Sequence, residues 1–205
     1  AAIIAPSFPA EYPELNHRQL VGMARAIGFD YVCEVAFGAD LVADRYRILL
    51  NKPDGKRYIA TNCPAVVAFV ERYHPDLVDS LSPIVSPMVA MARVLRQLHG
   101  PGLKIVFIGP CIAKKGELAS ELLDHELSGA LTFIELRRMF RERGITPENA
   151  LPGEFDGPLG GPGGLFPISR GLLQAAHIEE NLVDGKVVAA DGRIAFVEAI
   201  QEFES

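Results

Sequence analysis

Two of the three cysteines in this 205-residue sequence share a setting that suits chemistry. Cys63 closes the run RYIATNC and is followed by Pro64, and Cys111 closes KIVFIGPC and is preceded by Pro110. Each comes after an apolar, strand-like run and before a segment with helical spacing. In open α/β sheets ligands gather at the carboxyl ends of strands. Helix N-termini favour anionic ligands such as thiolates and iron–sulfur clusters. Two such cysteines from different strands are therefore candidates for one metal site. The bland alternative is that each is a small buried hydrophobe, as free cysteines commonly are. Cys33 lies within the apolar run Tyr31-Val32-Cys33-Glu34-Val35 and reads as core. Lys114 and Lys115 begin the helix after Cys111. Lys114 can donate to an anion at the site, whereas Lys115 reads as a solvated face.

Other motifs carry less. The histidines at 17, 74, 99, 125 and 177 form no HxxxH or HxH pair and read as surface or capping residues. GGPGGLF lacks the Gly-Lys-Ser/Thr of a P-loop, and Pro162 interrupts any G-x-G-x-x-G, so it reads as a turn or interface loop. There is no HExxH and no Ser-His-Asp signature. An odd number of scattered cysteines argues against a disulfide framework and for a reducing cytoplasm. With no CxxC, a metal site has to be assembled from distant segments.

The elements that would position these residues alternate in the βα manner of a largely parallel sheet. Strands are expected at 1–6, 31–37, 57–61 and 103–109. Helices are expected from the N-cap Asn16 to Gly28, over 39–51, after Pro64, and from the N-cap Ser86 through Pro87 to Gly100. A further helix over 132–144 carries a Thr132/Glu135 capping box. SRGLLQAAHIEE reads as a short helix, and KVVAADGRIAFVEAI as a C-terminal β-hairpin turning at Asp191-Gly192.

Hydrophobic residues make up 49% and charged residues 22%, as in a soluble globular domain. The net charge of −6 gives no electrostatic case for nucleic acid. No apolar run approaches the roughly 18–20 residues that span a bilayer. The chain opens without Met on a strand-like run, which suggests a piece of something longer, read as one domain over 1–205 with a possible two-lobed division.

Four motifs in order bring a family into view. IIAPS, IATNCPAVVAFVERYHPDLVDSLSPIVSPM, IGPCIAKKGEL and GGLFPISRGLLQAA resemble successive motifs of the C-terminal (H-cluster) domain in the large subunit of the iron-only, [FeFe] hydrogenases. GFDYVCEVAFGADL is similar to that family's next strand–helix unit after the first. The resemblance implies a two-lobed α/β domain with largely parallel four-stranded sheets flanked by helices. It implies that Cys63 and Cys111 are two of four thiolate ligands of a [4Fe–4S] cluster. It puts Pro6, Ser7 and Lys114 where the family contacts its diiron subcluster, and Ser82 and Ser86 near its proton route.

The departures are specific. The family's T-S-C-C-P has a proton-donating cysteine where this chain has Asn62, which cannot relay a proton at neutral pH. Two glutamates of the proton route fall on Tyr46 and Leu49, the S-P-Q glutamine on Met88, and the M-P-C methionine on Gly109. The last family motif, with two more cysteines, is not in the sequence. The expectation is an iron–sulfur module for redox sensing or electron transfer, without efficient H2 turnover. It would be joined to ferredoxin-type or signalling domains, and these 205 residues alone would be cluster-free. The alternatives are a divergent [FeFe] hydrogenase and a cofactor-free scaffold.

Overall fold

A computed structural model describes residues 1–51, 55–120, 126–179 and 187–204, with Arg193 and Glu204 described by backbone only. Four short parallel strands form one sheet in the order β2-β1-β3-β4. These are β1 (Ala2–Ile4), β2 (Val32–Glu34), β3 (Val106–Gly109) and β4 (Gly129–Thr132). The first three are nearly all buried, and β1 and β3 supply Ile3, Ile4, Phe107 and Ile108 to the main core. A βαβ crossover runs from β1 to β2 on one side and from β3 to β4 on the other. The strand order therefore reverses between β1 and β3. That reversal is where open α/β sheets form a crevice.

Local chemistry explains the helix ends. After α1 (Phe8–Glu11), helix α2 (His17–Ile27) starts at a capping box. The Asn16 side chain accepts from Gln19 N–H, and Gln19 Oε1 accepts from Asn16 N–H, both at 3.0 Å. It ends at Gly28 with φ +121°. Helix α3 (Val35–Leu50) begins directly after β2, so the expected strand over 31–37 yields to helix in its second half. α3 crosses α5 (Pro87–His99) so closely that a Cβ on Gly38 would sit 2.3 Å from the Pro87 carbonyl oxygen. α4 (Pro64–Tyr73), α6 (Ala113–Leu118), α7 (Phe133–Glu142), α8 (Gly171–Ala175) and α9 (Gly192–Glu204) complete the set.

The edge of β2 is covered by the segment around Asp156. Asp156 N–H donates to the Val32 carbonyl at 2.8 Å, and its carboxylate accepts from Val32 N–H at 2.7 Å. This removes an open strand edge. The Gly-rich turn over 160–163 lies on α3. Its amides at Gly161 and Gly163 both donate to the Asp40 carboxylate, and that of Gly160 donates to Glu34. The donors that could cradle a phosphate are thus held by the protein's own carboxylates, in line with a structural turn.

Two further expectations change. The second arm of the C-terminal hairpin is helix α9, and before it only Val187 shows a bridge; the start of the first arm, like His125, lies outside the described residues. Phe196, Ile200 and Phe203 recur at helical spacing and pack on Ile59, Val70 and Leu77, with Phe196 edge-on to Phe69 at 5.2 Å. Burying that face on α4 outweighs the turn preference of Asp191-Gly192. The strand expected over 57–61 contributes only one bridge, Ile59 to Leu81, so a single four-stranded sheet exists among the described residues.

Two outcomes test this packing. Gly38→Ala should destabilise the protein by at least about 2 kcal/mol in urea unfolding, because the obstructing atoms belong to the Pro87 and Met91 backbone. Glu135, which caps α7, is held down to about 2 by hydrogen bonds from Lys115 and then Thr132. Its folded pKa lies below the ordinary 4.5, so its stabilisation is present above pH 4.5 and lost as pH falls towards 2. The carboxylate is about 41% exposed, so the effect is small. Glu135→Gln should flatten the stability profile in that window, measured by thermal melts across pH.

Candidate metal centre

The candidate residues leave the sheet at its carboxyl end, at the reversal. Ile4 pairs with Ile108, and Ala5 N–H donates to the Ile108 carbonyl at 2.8 Å. Pro6 and Pro110 therefore each stand two residues past the same rung. Ser7 and Cys111 come next, one leading into α1 and the other into α6. The Ser7 hydroxyl is buried and has no hydrogen-bond partner among the described residues; the Ser86 hydroxyl, at the N-cap of α5, is in the same state. A buried hydroxyl without a partner costs stability unless something at the site satisfies it.

Cys63 arrives from elsewhere. It is the N-cap residue of α4, in extended conformation, and its side chain makes no capping hydrogen bond. Cys63 and Cys111 are both free and half-buried. Lys114 ties their segments together. Its ammonium makes a long hydrogen bond of 3.4 Å to the Asn62 carbonyl and pairs with Glu117 at 2.6 Å, both members of that pair being about 12–14% exposed. α4 also packs against α6. Three of the expected site elements thus meet: the turn after β1, the turn after β3, and the N-terminus of α4.

Cys33 stays apart, fully buried in the sheet. Burial pushes its thiol up to about 12, and the nearby Asp156 carboxylate adds to this, so it is inert as a ligand or nucleophile. Lys115 is not a free surface cation but a half-buried partner of Glu135. His17 pairs with Glu154 at 2.8 Å and stacks on Phe155, and exposed His99 lies tilted against the Tyr31 ring, as surface residues do.

Gly109 is at the strand end for a visible reason. A Cβ there would lie 2.4 Å from the Phe107 ring and 3.1 Å from Ala5 Cβ. Phe107 fills the volume that a side chain at 109 would need. Of the two serines of the expected proton route, Ser82 has a partner, whereas the Ser86 hydroxyl has none among the described residues. Ser82 accepts from Ile84 N–H at 3.3 Å. Beside it runs a chain the sequence did not reveal: Tyr46 hydroxyl to Thr61 hydroxyl to the Ile84 carbonyl. It ends on a main-chain acceptor.

Donor chemistry fits a thiolate-bound iron–sulfur group in part. Cys63 and Cys111 would hold it, with Ser7 and Lys114 beside it, while no group of three or more His, Cys, Asp or Glu arranged for a metal occurs among the described residues. Such a group supplies one-electron storage.

The whole chain matches a known family. Residues 1–202 fit the model of the C-terminal domain of the iron only hydrogenase large subunit. The NADP-reducing hydrogenase subunit HndD of Solidesulfovibrio fructosivorans is 28% identical over an alignment of 182 positions that covers 77% of this chain and 31% of that protein. The cytosolic Fe-S cluster assembly factor NAR1 of Yarrowia lipolytica is 26% identical over an alignment of 110 positions that covers 50% of this chain and 22% of that one. A solved variant of the [FeFe]-hydrogenase HydA1 of Chlamydomonas reinhardtii superposes with a TM-score of 0.72 at 25% identity, over 94% of this chain and 56% of that chain. The chain spans about a third or less of the length of these two curated relatives. Hydrogenases and Fe-S assembly factors are both among its relatives, and the chain belongs to the family formed by the C-terminal domain of the iron-only hydrogenase large subunit.

Proposed function

We propose that this domain is an iron–sulfur-binding module that uses the hydrogenase fold for redox sensing or electron transfer, without efficient H2 turnover. The observation that carries the reading is the Lys114 link to the Asn62 carbonyl, which draws the Cys63 and Cys111 segments to one place at the sheet reversal. In this reading both cysteines are thiolate ligands of a [4Fe–4S] cluster, and Pro6, Ser7 and Lys114 line the adjoining pocket. The chain has only three cysteines, one of them locked in the core, so the remaining ligands come from protein outside these 205 residues. The physiological setting is the cytoplasm, with ferredoxin-type or signalling domains as partners. Among the described residues no helix is long and apolar enough to cross a membrane.

The proton side supports the absence of turnover in this reading. Asn62 has no titratable proton. The buried Tyr46–Thr61 chain stops at a carbonyl, which accepts a hydrogen bond but passes no proton onward. The likeness to NAR1 favours a second reading within the same chemistry, in which the domain holds a cluster in order to hand it on.

The test is anaerobic reconstitution, with iron and sulfide, of the protein together with the part that supplies the remaining ligands, followed by desalting and EPR. Cys63→Ala and Cys111→Ala should each lower retained iron at least about tenfold, the scale on which ligand-site losses act, while Cys33→Ala leaves it unchanged. Equal retention in all three variants sinks the ligand assignment. Hydrogen evolved from reduced viologen by the protein after maturation of a diiron site would overturn the absence of turnover. Cluster transfer to an apo-ferredoxin would favour the assembly reading over sensing.

A further inference from the structure

The segment that delivers Cys63 lies between α3 and the turn before α5 with no ladder of its own, yet it is held at closely spaced positions. Ile59 exchanges main-chain hydrogen bonds with Ser80 and Ser82 at 2.8 and 2.9 Å. Thr61 is held by Tyr46, which projects from α3 and is only 6% exposed. The Tyr46 hydroxyl accepts from Thr61 N–H at 2.8 Å. It also lies 3.2 Å from Thr61 Oγ1, which donates to the Ile84 carbonyl at 2.6 Å. One satisfied assignment exists: Tyr46 O–H donates to Thr61 Oγ1, and Thr61 O–H donates to Ile84. Asn62 is then held from another element by Lys114.

We propose that Tyr46 is a positioning residue: its hydroxyl clasps Thr61 and thereby fixes the place and exposure of the Cys63 thiol, two residues on. Three features support this over a merely packed tyrosine. The hydroxyl is engaged twice by a single residue, once at main chain and once at side chain. Thr61 joins three segments, namely α3, the Cys63 turn and the 82–84 turn before α5. The Cys63 side chain itself makes no capping hydrogen bond, so its position is inherited from its neighbours. Loss of the clasp leaves the Thr61 amide without its partner, and a local opening becomes more populated. The importance of this placement for iron binding rests on the function proposed above; the clasp itself does not.

The test reads thiol reactivity in the 205-residue protein. Iodoacetamide labelling is followed at each cysteine by peptide mass mapping, with buried Cys33 as the unreactive reference. In Tyr46→Phe and Thr61→Val, Cys63 should react about fivefold faster, while Cys111 changes by less than about twofold. Thr61→Ser keeps the hydroxyl and should keep the parental rate. The effects of the two single variants should combine less than additively in the double variant, because both remove the Tyr46–Thr61 side-chain hydrogen bond, while the residue-61 amide keeps its bond to Tyr46 in Thr61→Val. An equal rise at Cys63 and Cys111 means general loosening and overturns the proposal, as does an unchanged Cys63 rate or a serine variant that behaves like valine. If Tyr46→Phe does not fold, the Thr61→Val and Thr61→Ser pair decides alone. Iron loading of the protein together with the part that supplies the remaining ligands separates the two ideas: if it takes up no cluster, yet the Cys63-specific rise is seen, the iron–sulfur reading is lost and the clasp is kept.

Discussion

The parallel pairing of β1 with β3 is the constraint on which the rest of the molecule depends. It is only three rungs long, from Ala2–Val106 to Ile4–Ile108, and it joins two βα units that wind away from each other. Every residue on it is buried or nearly so, and strands of this length are stable only when covered on both faces. α2, α5 and α7 provide that cover through Leu20, Leu95 and Leu136, all at 0% exposure. Because the rungs are in register, the two turns that follow leave the sheet at the same height. The crevice at the reversal is thus a product of topology, and side chains only furnish it.

Cys63 depends on something different. No sheet carries it, and its segment is fastened by hydrogen bonds to α3, to the turn before α5, and to Lys114. Lys114 has two roles that compete. It is drawn to Glu117 in a pair sheltered from water, and its longer bond reaches the Asn62 carbonyl. A charged donor on a main-chain acceptor in such a sheltered place is stronger than a neutral one. The ammonium therefore acts as a fastener between segments as well as a source of positive charge.

Where the physics is local, the sequence is legible. The Thr132/Glu135 box, the Asn16 cap, and Pro87 and Gly100 at the ends of α5 each rest on atoms a few residues apart, and each appears in the structure. So do the strand-end setting of Cys111 and the N-cap setting of Cys63, which their adjacent prolines signal. β4 carries no such signal, because Gly129-Ala130-Leu131-Thr132 has no pattern of its own and becomes a strand only by pairing with β3. α9 runs against its local sequence: Asp191-Gly192 favours a turn in isolation, and only the apolar face of α4 decides for helix. The Tyr46–Thr61 clasp and the Lys114–Asn62 bond join side chains to the main chain of distant residues, 15 and 52 positions apart, and no spacing rule announces them.

The Phe107 ring beside Gly109 bears on how this chain can change. The resembling family places methionine at that strand position. Here the side-chain volume has moved two residues back along the same face of β3, so that positions 107 and 109 share one allotment of space. A methionine at 109 collides with the ring, and a smaller residue at 107 opens a hole beside the sheet. The two positions are therefore expected to couple: what a side chain at 109 costs depends on whether the ring at 107 is kept.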